Sequence, residues 1–566
     1  MRVDVLRRIS LFLLLATTAA PPHLHAATID VATFGAIPGD SIDDTTAINN
    51  AIAASTAADT VVLNAGTYDV SNKIVTKAGL TMQGAGNTTI LRRTGNNTAP
   101  LLGIENVSNV TLSNFTLDGN NNKKPSQGIY AATGSNINLH DLTIQNLAAT
   151  TGFGPHGIYF DHNVTNSTIA NNSISNIGTG SQWGCGIRVA WYSSNNQVLN
   201  NTVANTGRGG ILCNDQSTDL VIRNNTVTGS GGTGLGIEVW GGSHRAVVED
   251  NHIDHWLSVD GSNDLAVRRN TISDHSGVYK YTGLELVDAS NCVFTDNVVD
   301  GGQQLGISIS GPALKNNIYW GHNTISGAST WGVQIQGETN GAKNQYFFKN
   351  IFIGTIKSGP NTLYAPQGHG VRFNGDANGI VFDNNEITAN QGQGIQLTGS
   401  NLRNLTFTSN TITNNAGAAA TSDGVTNLYW ADNTISGNGS DNPLPSSTTK
   451  ANVIDNPFGD FRIRVGQPLR FGLREDAAAG VDHVLWDFGT GLPSTELNPT
   501  FAYDVPGTYR VTMIAWGDDG GAPRFEEQTL TVTPEPGAVG LVGLMLMCRG
   551  ARRSRRESAG RARVAR

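Results

Sequence analysis

The sequence is poor in features that define several other classes of protein. Charged residues make up only 14% of the 566 residues, and only four residues are cysteine. So few charges exclude a coiled coil or a highly charged disordered chain, and so few cysteines argue against a disulfide scaffold. Glycine, in contrast, supplies 68 residues. This composition predicts a glycine-rich, turn-dense β protein.

Basic residues are scarce outside the C-terminus. The formal net charge is −8, although the last 18 residues hold eight Arg and one Glu. The rest of the chain is therefore more acidic still and would repel a phosphate backbone. Because no basic patch is interleaved with aromatic residues, we expect no nucleic-acid partner.

The two ends of the chain have the composition of targeting segments. Residues 1–27 combine a basic start, an apolar run and small residues at a cleavage position, which predicts a signal peptide and an exported protein. At the other end, Pro534-Glu535-Pro536 precedes twelve apolar residues and the Arg cluster. Twelve apolar residues are too few to span a bilayer alone, since a spanning helix needs ~20.

The C-terminal pattern resembles the PEP-CTERM sorting signal over residues 534–566. The resemblance implies a Gram-negative bacterium, transient membrane association through the tail, and cleavage near Pro534 by an exosortase-like enzyme after signal peptidase has acted. It places the mature protein in the periplasm, on the outer surface or in the extracellular matrix.

A short element recurs through the middle of the chain about every 26 residues, and this period predicts stacked supersecondary units. Each copy is an Asn followed two residues later by an apolar residue, beginning at Asn172, Asn201, Asn225, Asn251, Asn270, Asn297, Asn323, Asn350, Asn385, Asn410 and Asn433.

Each period also contains a second short strand, usually opened by Gly. In Gly236-Ile-Glu-Val239 and its counterparts, the alternation places the aliphatic residues inside and the residue between them outside. No amphipathic helical pattern of 10 to 15 residues separates these strands, which excludes βαβ units. The sequence therefore predicts an all-β fold, a parallel β-helix over residues 28–440.

The recurrent Asn has two explanations. A fixed Asn in every coil would stack as an inward amide ladder that satisfies backbone groups at the bends. Alternatively, Asn is simply favoured in left-handed turns. Both explanations stay open at this point.

Residues 43–58 are predicted to form a helix that covers the N-terminal end of the solenoid, since an uncovered coil invites pairing with other chains. Asp43 or Asp44 suits the N-cap, and Ala47, Ile48 and Ala51 lie on one apolar face. We therefore interpret both Asp as capping residues and not as catalytic ones.

The stretch that carries this helix resembles a known family. Phe34-Gly-Ala36, Asp43-Asp44-Thr45, Val61 to Tyr68 and Leu80 to Gly86 are similar to the N-terminal signature of the pectate lyase superfamily. The resemblance implies a right-handed solenoid and, commonly, polysaccharide lyases, hydrolases or epimerases. It does not choose among them.

Two shorter motifs resemble catalytic elements of such enzymes but are incomplete. Gly368-His369-Gly370 is similar to a polygalacturonase element, although the paired aspartates of that family are missing. Gly154-Pro155-His156-Gly157 is similar to the Asp-Pro-His-Glu motif of alginate epimerases, but Gly occupies both carboxylate positions. The second departure argues against an epimerase.

The C-terminal part of the chain loses the repeat. Residues 441–460 are rich in Gly, Ser, Asn and Pro, which predicts a linker. Residues 461–533 resemble a PKD-type immunoglobulin-like β-sandwich with Trp486 and Tyr503 in its core. The resemblance implies a module that spaces or docks extracellular enzymes.

Aligning the Gly-opened strands places candidate catalytic residues on one outward face: Glu238, Asp260, Glu285 and Arg188. Glu238 and Glu285 lie two coils apart, roughly 10 Å, near the upper limit for an inverting glycosidase pair.

A lyase would instead need a base and also a cation that neutralises the carboxylate of a uronate. Arg188 is available as this cation. Asp260 with a neighbouring carboxylate would suit Ca²⁺, the one candidate cofactor.

The same region offers candidate substrate-binding residues, with Trp rings as platforms for sugars: Trp191, Trp240, Trp256, His156, His162 and Lys280. We therefore expect an extracellular polysaccharide as partner, with lyase and hydrolase chemistry both open. The rival hypothesis is a non-catalytic matrix or adhesion protein. An open trough lined by the three carboxylates would favour the enzyme, and a covered wall would favour the rival.

Overall fold

The computed structural model describes residues 26–121, 123, 125–149, 153–180, 183–230, 235–273, 280–357, 364–446, 461–472, 480–517 and 523–534. The predicted signal peptide, most of the predicted linker and nearly all of the predicted sorting tail lie outside these residues.

The solenoid has a 28-stranded and a 15-stranded set of parallel strands. The 28 strands form two successive faces, called here the first and second sheets, and the 15 strands form the third sheet, so that most coils pass through the first, second and third sheets in turn. The third sheet carries the Asn-x-apolar elements and has fifteen strands: Gly66–Val70, Thr89–Arg93, Thr116–Asp118, Thr143–Leu147, Ser173–Ile177, Thr202–Thr206, Thr226–Ser230, His252–Ile253, Thr271–Ser273, Val298–Asp300, Thr324–Ser326, Ile351–Ile353, Glu386–Thr388, Thr411–Thr413 and Thr434–Ser436.

The first sheet carries the Gly-opened strands. Its strands are Ile74–Val75, Leu102–Glu105, Gln127–Ser135, His156–Thr165, Cys185–Val189, Gly209–Cys213, Leu235–Trp240, Leu257–Asp260, Lys280–Val287, Gln303–Ser310, Trp331–Phe348, His369–Asp383, Ile395–Leu397 and Ala420–Ser422.

The second sheet follows the first in each coil, and the two long strands from Trp331 and His369 run through both sheets. Its other strands are Thr28–Asp30, Thr60–Leu63, Thr81–Gly84, Val110–Ser113, Ile137–His140, Thr168–Ala170, Gln197–Leu199, Val221–Arg223, Val247–Glu249, Ala266–Arg268, Cys292–Thr295, Lys315–Gly321, Asn401–Thr408 and Thr426–Ala431. The predicted parallel β-helix is confirmed.

The interior is filled by aliphatic columns and, towards the C-terminal coils, by stacked aromatic rings. Trp320 stacks on Phe294 with ring centroids 4.1 Å apart, and Phe347 stacks on Phe382 at 4.3 Å. Cys185, Cys213 and Cys292 are buried free thiols. Cys185 pairs in register with Gly209, so Cys213 lies four residues further along its strand.

The recurrent Asn residues form an inward amide ladder. Asn251 shows the pattern: its Oδ1 accepts from the backbone N–H and the Nδ2 of Asn225, at 2.9 and 3.0 Å. Its Nδ2 donates to the Ile222 carbonyl and to Asn270 Oδ1, both at 2.9 Å. The left-handed conformation belongs to the residue before each ladder Asn, such as Asp250 with φ 58°. The ladder therefore satisfies backbone groups at each bend. The preference for a left-handed turn applies to the residue before each ladder Asn and not to the ladder Asn itself.

The N-terminal end is covered by a helix over Thr45–Ala54. Ile48, Ala51 and Ile52 are buried against the first coils. Asp43 Oδ1 accepts from the backbone N–H of Thr45 at 3.2 Å, whereas Asp44 accepts from the backbone N–H groups of Ile37 and Asp69, both at 3.0 Å. Asp43 therefore caps the helix as predicted. Asp44 lies at the N-cap position, but its side chain makes no capping hydrogen bond and instead joins the helix start to neighbouring segments, so its predicted capping role is wrong.

Glycine opens the strands of the first sheet because there is no room for a side chain. A Cβ on Gly210 would lie 2.2 Å from Val227 Cγ1 and 2.7 Å from the Gly236 carbonyl oxygen. Gly210→Ala is therefore expected to lower the free energy of unfolding by about 1–3 kcal/mol through overpacking. Chemical denaturation measures this loss. Thr228→Ala, at an exposed position of the third sheet, is the control and should change stability by no more than about 0.5 kcal/mol. Equal stability of the two variants would contradict the explanation.

The C-terminal sandwich has strands Phe461–Arg464, Leu469–Arg470, His483–Asp487, Thr500–Phe501, Gly507–Trp516 and Arg524–Thr533. Trp486 and Tyr503 are each 1% exposed, so the predicted core residues are confirmed.

The sandwich packs directly on the second sheet. Leu485, Ile514 and Trp516 are buried in one cluster with Tyr319 and Tyr346 of the solenoid. The two parts of the chain therefore share an apolar interface, and the sandwich is a docked module.

Polar contacts also join the two parts of the chain at this interface. Arg510 Nη1 lies 2.9 Å from Asp296 Oδ1, and His322 Nε2 lies 2.6 Å from Glu527 Oε2. Among the described residues, no helix is long and apolar enough to cross a membrane.

Candidate functional site

The first sheet places one column of side chains along its outer face. Each occupies the same register position in its coil, so neighbours are ~4.8 Å apart. This column, called the central row below, consists of Tyr130, Tyr159, Arg188, Leu212, Glu238, Ser258, Glu285, Ser308, Gln334, Arg372 and Gln396.

The acidic centre of the central row contains the predicted carboxylates. Glu238 and Glu285 flank Ser258, so they lie two coils or ~10 Å apart. Trp256 Nε1 and Ser258 Oγ both donate to Glu285 Oε2, at 2.8 and 2.7 Å. Asp260 lies on the intervening coil, two residues beyond Ser258 and on the same face. The structure thus brings the three carboxylates together as the alignment predicts.

Burial sets the protonation of these carboxylates. It raises the pKa of Glu238 to about 7, against the opposing effect of Arg208, whose Nη2 lies 3.7 Å from Glu238 Oε1. Burial, with Asp288 adding repulsion, raises the pKa of Asp260 to about 6. Burial also raises the pKa of Glu285, but the donors on Ser258 and Trp256 act in the other direction. Two neighbouring carboxyls with different environments are the arrangement that general acid–base chemistry uses.

The central row is more covered than an open trough would be. Glu238 is 7% exposed and Glu285 is 6% exposed, whereas Asp260 is partly exposed. Of the two arrangements weighed from the sequence, the structure is closer to the covered wall.

Arg188 lies in the central row among aromatic rings. Its guanidinium is 4.5 Å from the Phe153 ring centroid and 5.7 Å from that of Tyr159, and it is 3.5 Å from the Asp215 carboxylate. Arg188 is 6% exposed, so it too is held beneath the surface.

His156 is completely buried next to this cation, with its ring stacked on Tyr159 at 4.8 Å. Burial, with a contribution from Arg188, lowers the pKa of His156 to about 3, so its ring is neutral. Neither ring nitrogen has a hydrogen-bond partner among the described residues. A surface role for His156 in binding substrate therefore does not match its position.

The other predicted binding residues divide between the two sides of the central row. His162 lies in the second half of its strand, Trp191 just after its strand, and Trp240 at the last position of its strand. All three side chains are exposed. Trp256 lies before its strand and is partly buried, with the Tyr281 ring 5.2 Å away. Lys280 is the first residue of its strand, and its side chain lies outside the described residues.

Sequence reasoning missed Arg208, which lies beside Glu238, and Trp183, whose ring centroid is 5.7 Å from the Arg208 guanidinium. Both precede a Gly-opened strand, so the residues just before each such strand were the available signal. In the described parts of the chain, no three His, Cys, Asp or Glu side chains come together as a metal site would require.

A solenoid with a polar row along one face, joined to an immunoglobulin-like sandwich, defines a parallel β-helix protein with a docked module. The chain belongs to the family described as right handed beta helix region, which matches residues 37–253 and 255–440. Residues 450–533 match the PKD domain family, which confirms the class of the sandwich.

Two curated relatives are similar to different parts of the chain. Mannuronan C5-epimerase AlgE1 of Azotobacter vinelandii is 28% identical over 237 residues, which are 37% of this chain and 16% of that protein. Collagenase ColQ1 of Bacillus cereus (strain Q1) is 34% identical over 79 residues, 14% of this chain and 8% of that protein. The chain thus spans less than a fifth of the length of either relative.

Two solved structures are similar to this chain at low identity. The pre-mature bacteriophage phi29 gene product 12 has a TM-score of 0.48 and 17% identity, covering 77% of this chain and 59% of that one. PfbA, a surface adhesin of Streptococcus pneumoniae, has a TM-score of 0.42 and 16% identity, covering 56% of this chain and 93% of that one.

Proposed function

We propose that this chain is an exported polysaccharide-degrading enzyme of the pectate lyase superfamily, in which Glu238 is the proton donor. The observation that carries the proposal is a pair of buried carboxyls, Glu238 and Glu285, two coils apart on the same face. Burial raises the pKa of Glu238 to about 7. A group with that pKa is protonated for a substantial fraction of molecules at neutral pH, which suits a general acid.

The geometry favours hydrolysis with inversion. Glu238 would protonate the glycosidic oxygen as its bond to the anomeric carbon breaks. Glu285 would accept a proton from the water that attacks that carbon from the opposite side. The two-coil spacing of ~10 Å is closer to the ~6.5–9.5 Å between the carboxyls of inverting pairs than to the ~5 Å of retaining ones.

Other features support a polysaccharide as the substrate. The central row extends over eleven coils, which suits an extended chain. A relative that shares part of this sequence is named for its action on mannuronan. We further propose that residues 1–27 direct export by signal peptidase processing, and that residues 534–566 are a PEP-CTERM tail cleaved by an exosortase-like enzyme at the Gram-negative cell surface.

The test is to incubate the chain with alginate, polygalacturonate, xylan and hydroxyethyl cellulose, following new reducing ends and ultraviolet absorbance. Hydrolysis is expected to release reducing ends without absorbance, at a rate that falls above about pH 7 as Glu238 loses its proton. An absorbance gain would show β-elimination and overturn the hydrolytic assignment. The heat-denatured protein is the control.

A second candidate function rests on the coverage of the central row. Because Glu238 and Glu285 are both more than nine-tenths buried, the chain also suits a non-catalytic matrix or adhesion protein. A folded protein that produces neither signal on any of the four glycans would favour this function.

A further inference from the structure

Two large aromatic residues occupy backbone positions that disfavour them. Trp191 has φ 54° and Tyr192 has φ 62°, both in the left-handed region. At the corresponding turn of the next coil these positions are Asp215 and Gln216, and one coil later they are Gly241 and Gly242. A bulky side chain in this region strains the backbone.

Burial of the two rings does not offset this strain. Trp191 is 41% exposed and Tyr192 is 49% exposed, although large aromatic residues contribute to stability mainly when they are buried. Strained residues whose side chains add little to packing mark functional positions. The strain therefore points to a role for the two rings other than packing within the chain.

The neighbouring residues hold the Trp191 ring in place. The His162 ring lies parallel to it, with centroids 5.5 Å apart and planes 7° apart. His162 Nδ1 is 2.6 Å from Asp161 Oδ1, and the hydroxyl groups of Tyr130 and Tyr159 also donate to Asp161. The stack is thus anchored to the central row through Asp161.

We propose that His162, Trp191, Tyr192 and Trp240, called the aromatic platform, form a binding surface for the sugar rings of a polysaccharide chain. Trp240 is 39% exposed and lies two coils beyond Trp191, ~10 Å along the solenoid. Flat exposed rings bind the apolar C–H faces of pyranoses, and the polar side chains of Asp215 and Gln216 between them suit the hydroxyl edges.

A sugar chain fits the aromatic platform better than a second protein does. The four residues of the platform offer a contact area far smaller than the ~800 Å² per partner of a stable protein interface. The platform also follows the central row, so that one extended chain could contact both. The inference extends the proposed function, but the platform would bind glycan even if the chain cleaved none.

The test replaces the strained residues by one that tolerates their backbone conformation. Trp191→Asn and the double variant Trp191→Asn/Tyr192→Asn are compared with Phe34→Asn, which alters an exposed aromatic residue in the first coil. Migration in native gels containing alginate, polygalacturonate, xylan or hydroxyethyl cellulose measures binding. Retardation by at least one polymer is expected to weaken at least tenfold in the double variant and to stay unchanged in Phe34→Asn.

Stability distinguishes a binding role from a packing role. Because Asn relieves the strain, the melting temperature of the double variant should equal or exceed that of the original chain. A fall of several degrees, undiminished retardation, or no retardation of the original chain by any polymer would overturn the proposal. The proposal would also be overturned if sedimentation showed that the original chain is a dimer and the double variant is a monomer.

The binding assay is repeated with Glu238→Gln to separate the two proposals. If the original chain is retarded by a polymer but cleaves none, the enzymatic proposal is wrong and the aromatic platform is supported. If the original chain cleaves a polymer but neither it nor Glu238→Gln is retarded, the proposal of the aromatic platform is wrong and the enzymatic proposal is supported.

Discussion

Replacing Arg268 by Ala is expected to lower the free energy of unfolding by about 3–5 kcal/mol and to release the sandwich from the solenoid. Arg268 is 1% exposed, and its guanidinium pairs with the Asp487 carboxylate and donates to the Gly491 carbonyl at 2.6 Å. Without Arg268, the Asp487 carboxylate, 4% exposed, would be left buried and without its cation. An uncompensated buried charge is far more destabilising than the loss of a surface pair.

Chemical denaturation measures the stability loss, and small-angle scattering detects release of the sandwich as a larger radius of gyration. Arg245→Ala is the matched control, because Arg245 forms an exposed pair with Asp219. This control should cost no more than about 1 kcal/mol and leave the scattering unchanged. If both Arg variants behave alike, the buried pair does not hold the two parts together.

The docked position of the sandwich was not predicted, although the sequence contains a signal for it. Most second-sheet strands alternate, as in Gln197-Val198-Leu199, where only Val198 is buried. Under the sandwich the strands are apolar on both faces, as in Val247-Val248 and Tyr319-Trp320. A strand that is apolar on both faces is covered on both. The resemblance to a PKD module implied spacing or docking, and only this local change of pattern could have decided between them.

The repeat allowed the register of the solenoid to be predicted because each coil repeats one hydrogen-bonding unit. The Asn ladder and the Gly-opened strands fix which residues lie side by side, so Glu238, Ser258 and Glu285 could be aligned correctly. Periodicity says nothing about the irregular segments that flank each strand. The burial of the central row, the neighbours of Arg188 and the position of Arg208 depend on those segments and could not be predicted.

Glu238→Gln is expected to lower kcat by about 10²–10⁴-fold, or roughly 3–5 kcal/mol in activation free energy, because Gln cannot donate a proton to the leaving group. The rate of the original chain should fall as pH rises through about 7, where the Glu238 carboxyl ionises. Glu386→Gln is the control, since Glu386 is exposed on the third sheet, and it should leave both the rate and the pH profile unchanged.

Glu238→Gln is expected to lower the rate but to raise the stability of the folded chain. Stability measurements therefore distinguish a loss of catalysis from a loss of folding. Burial raises the pKa of Glu238 from 4.5 to about 7, so the folded chain holds a proton that the unfolded chain releases between these values. The stability contributed by this group is therefore present below about pH 4.5 and is lost as pH rises through about 7. Glu238→Gln removes this loss and should unfold at higher denaturant concentration than the original chain above pH 7. An inactive variant that is also less stable there would mean that Glu238 supports the fold and is not the acid.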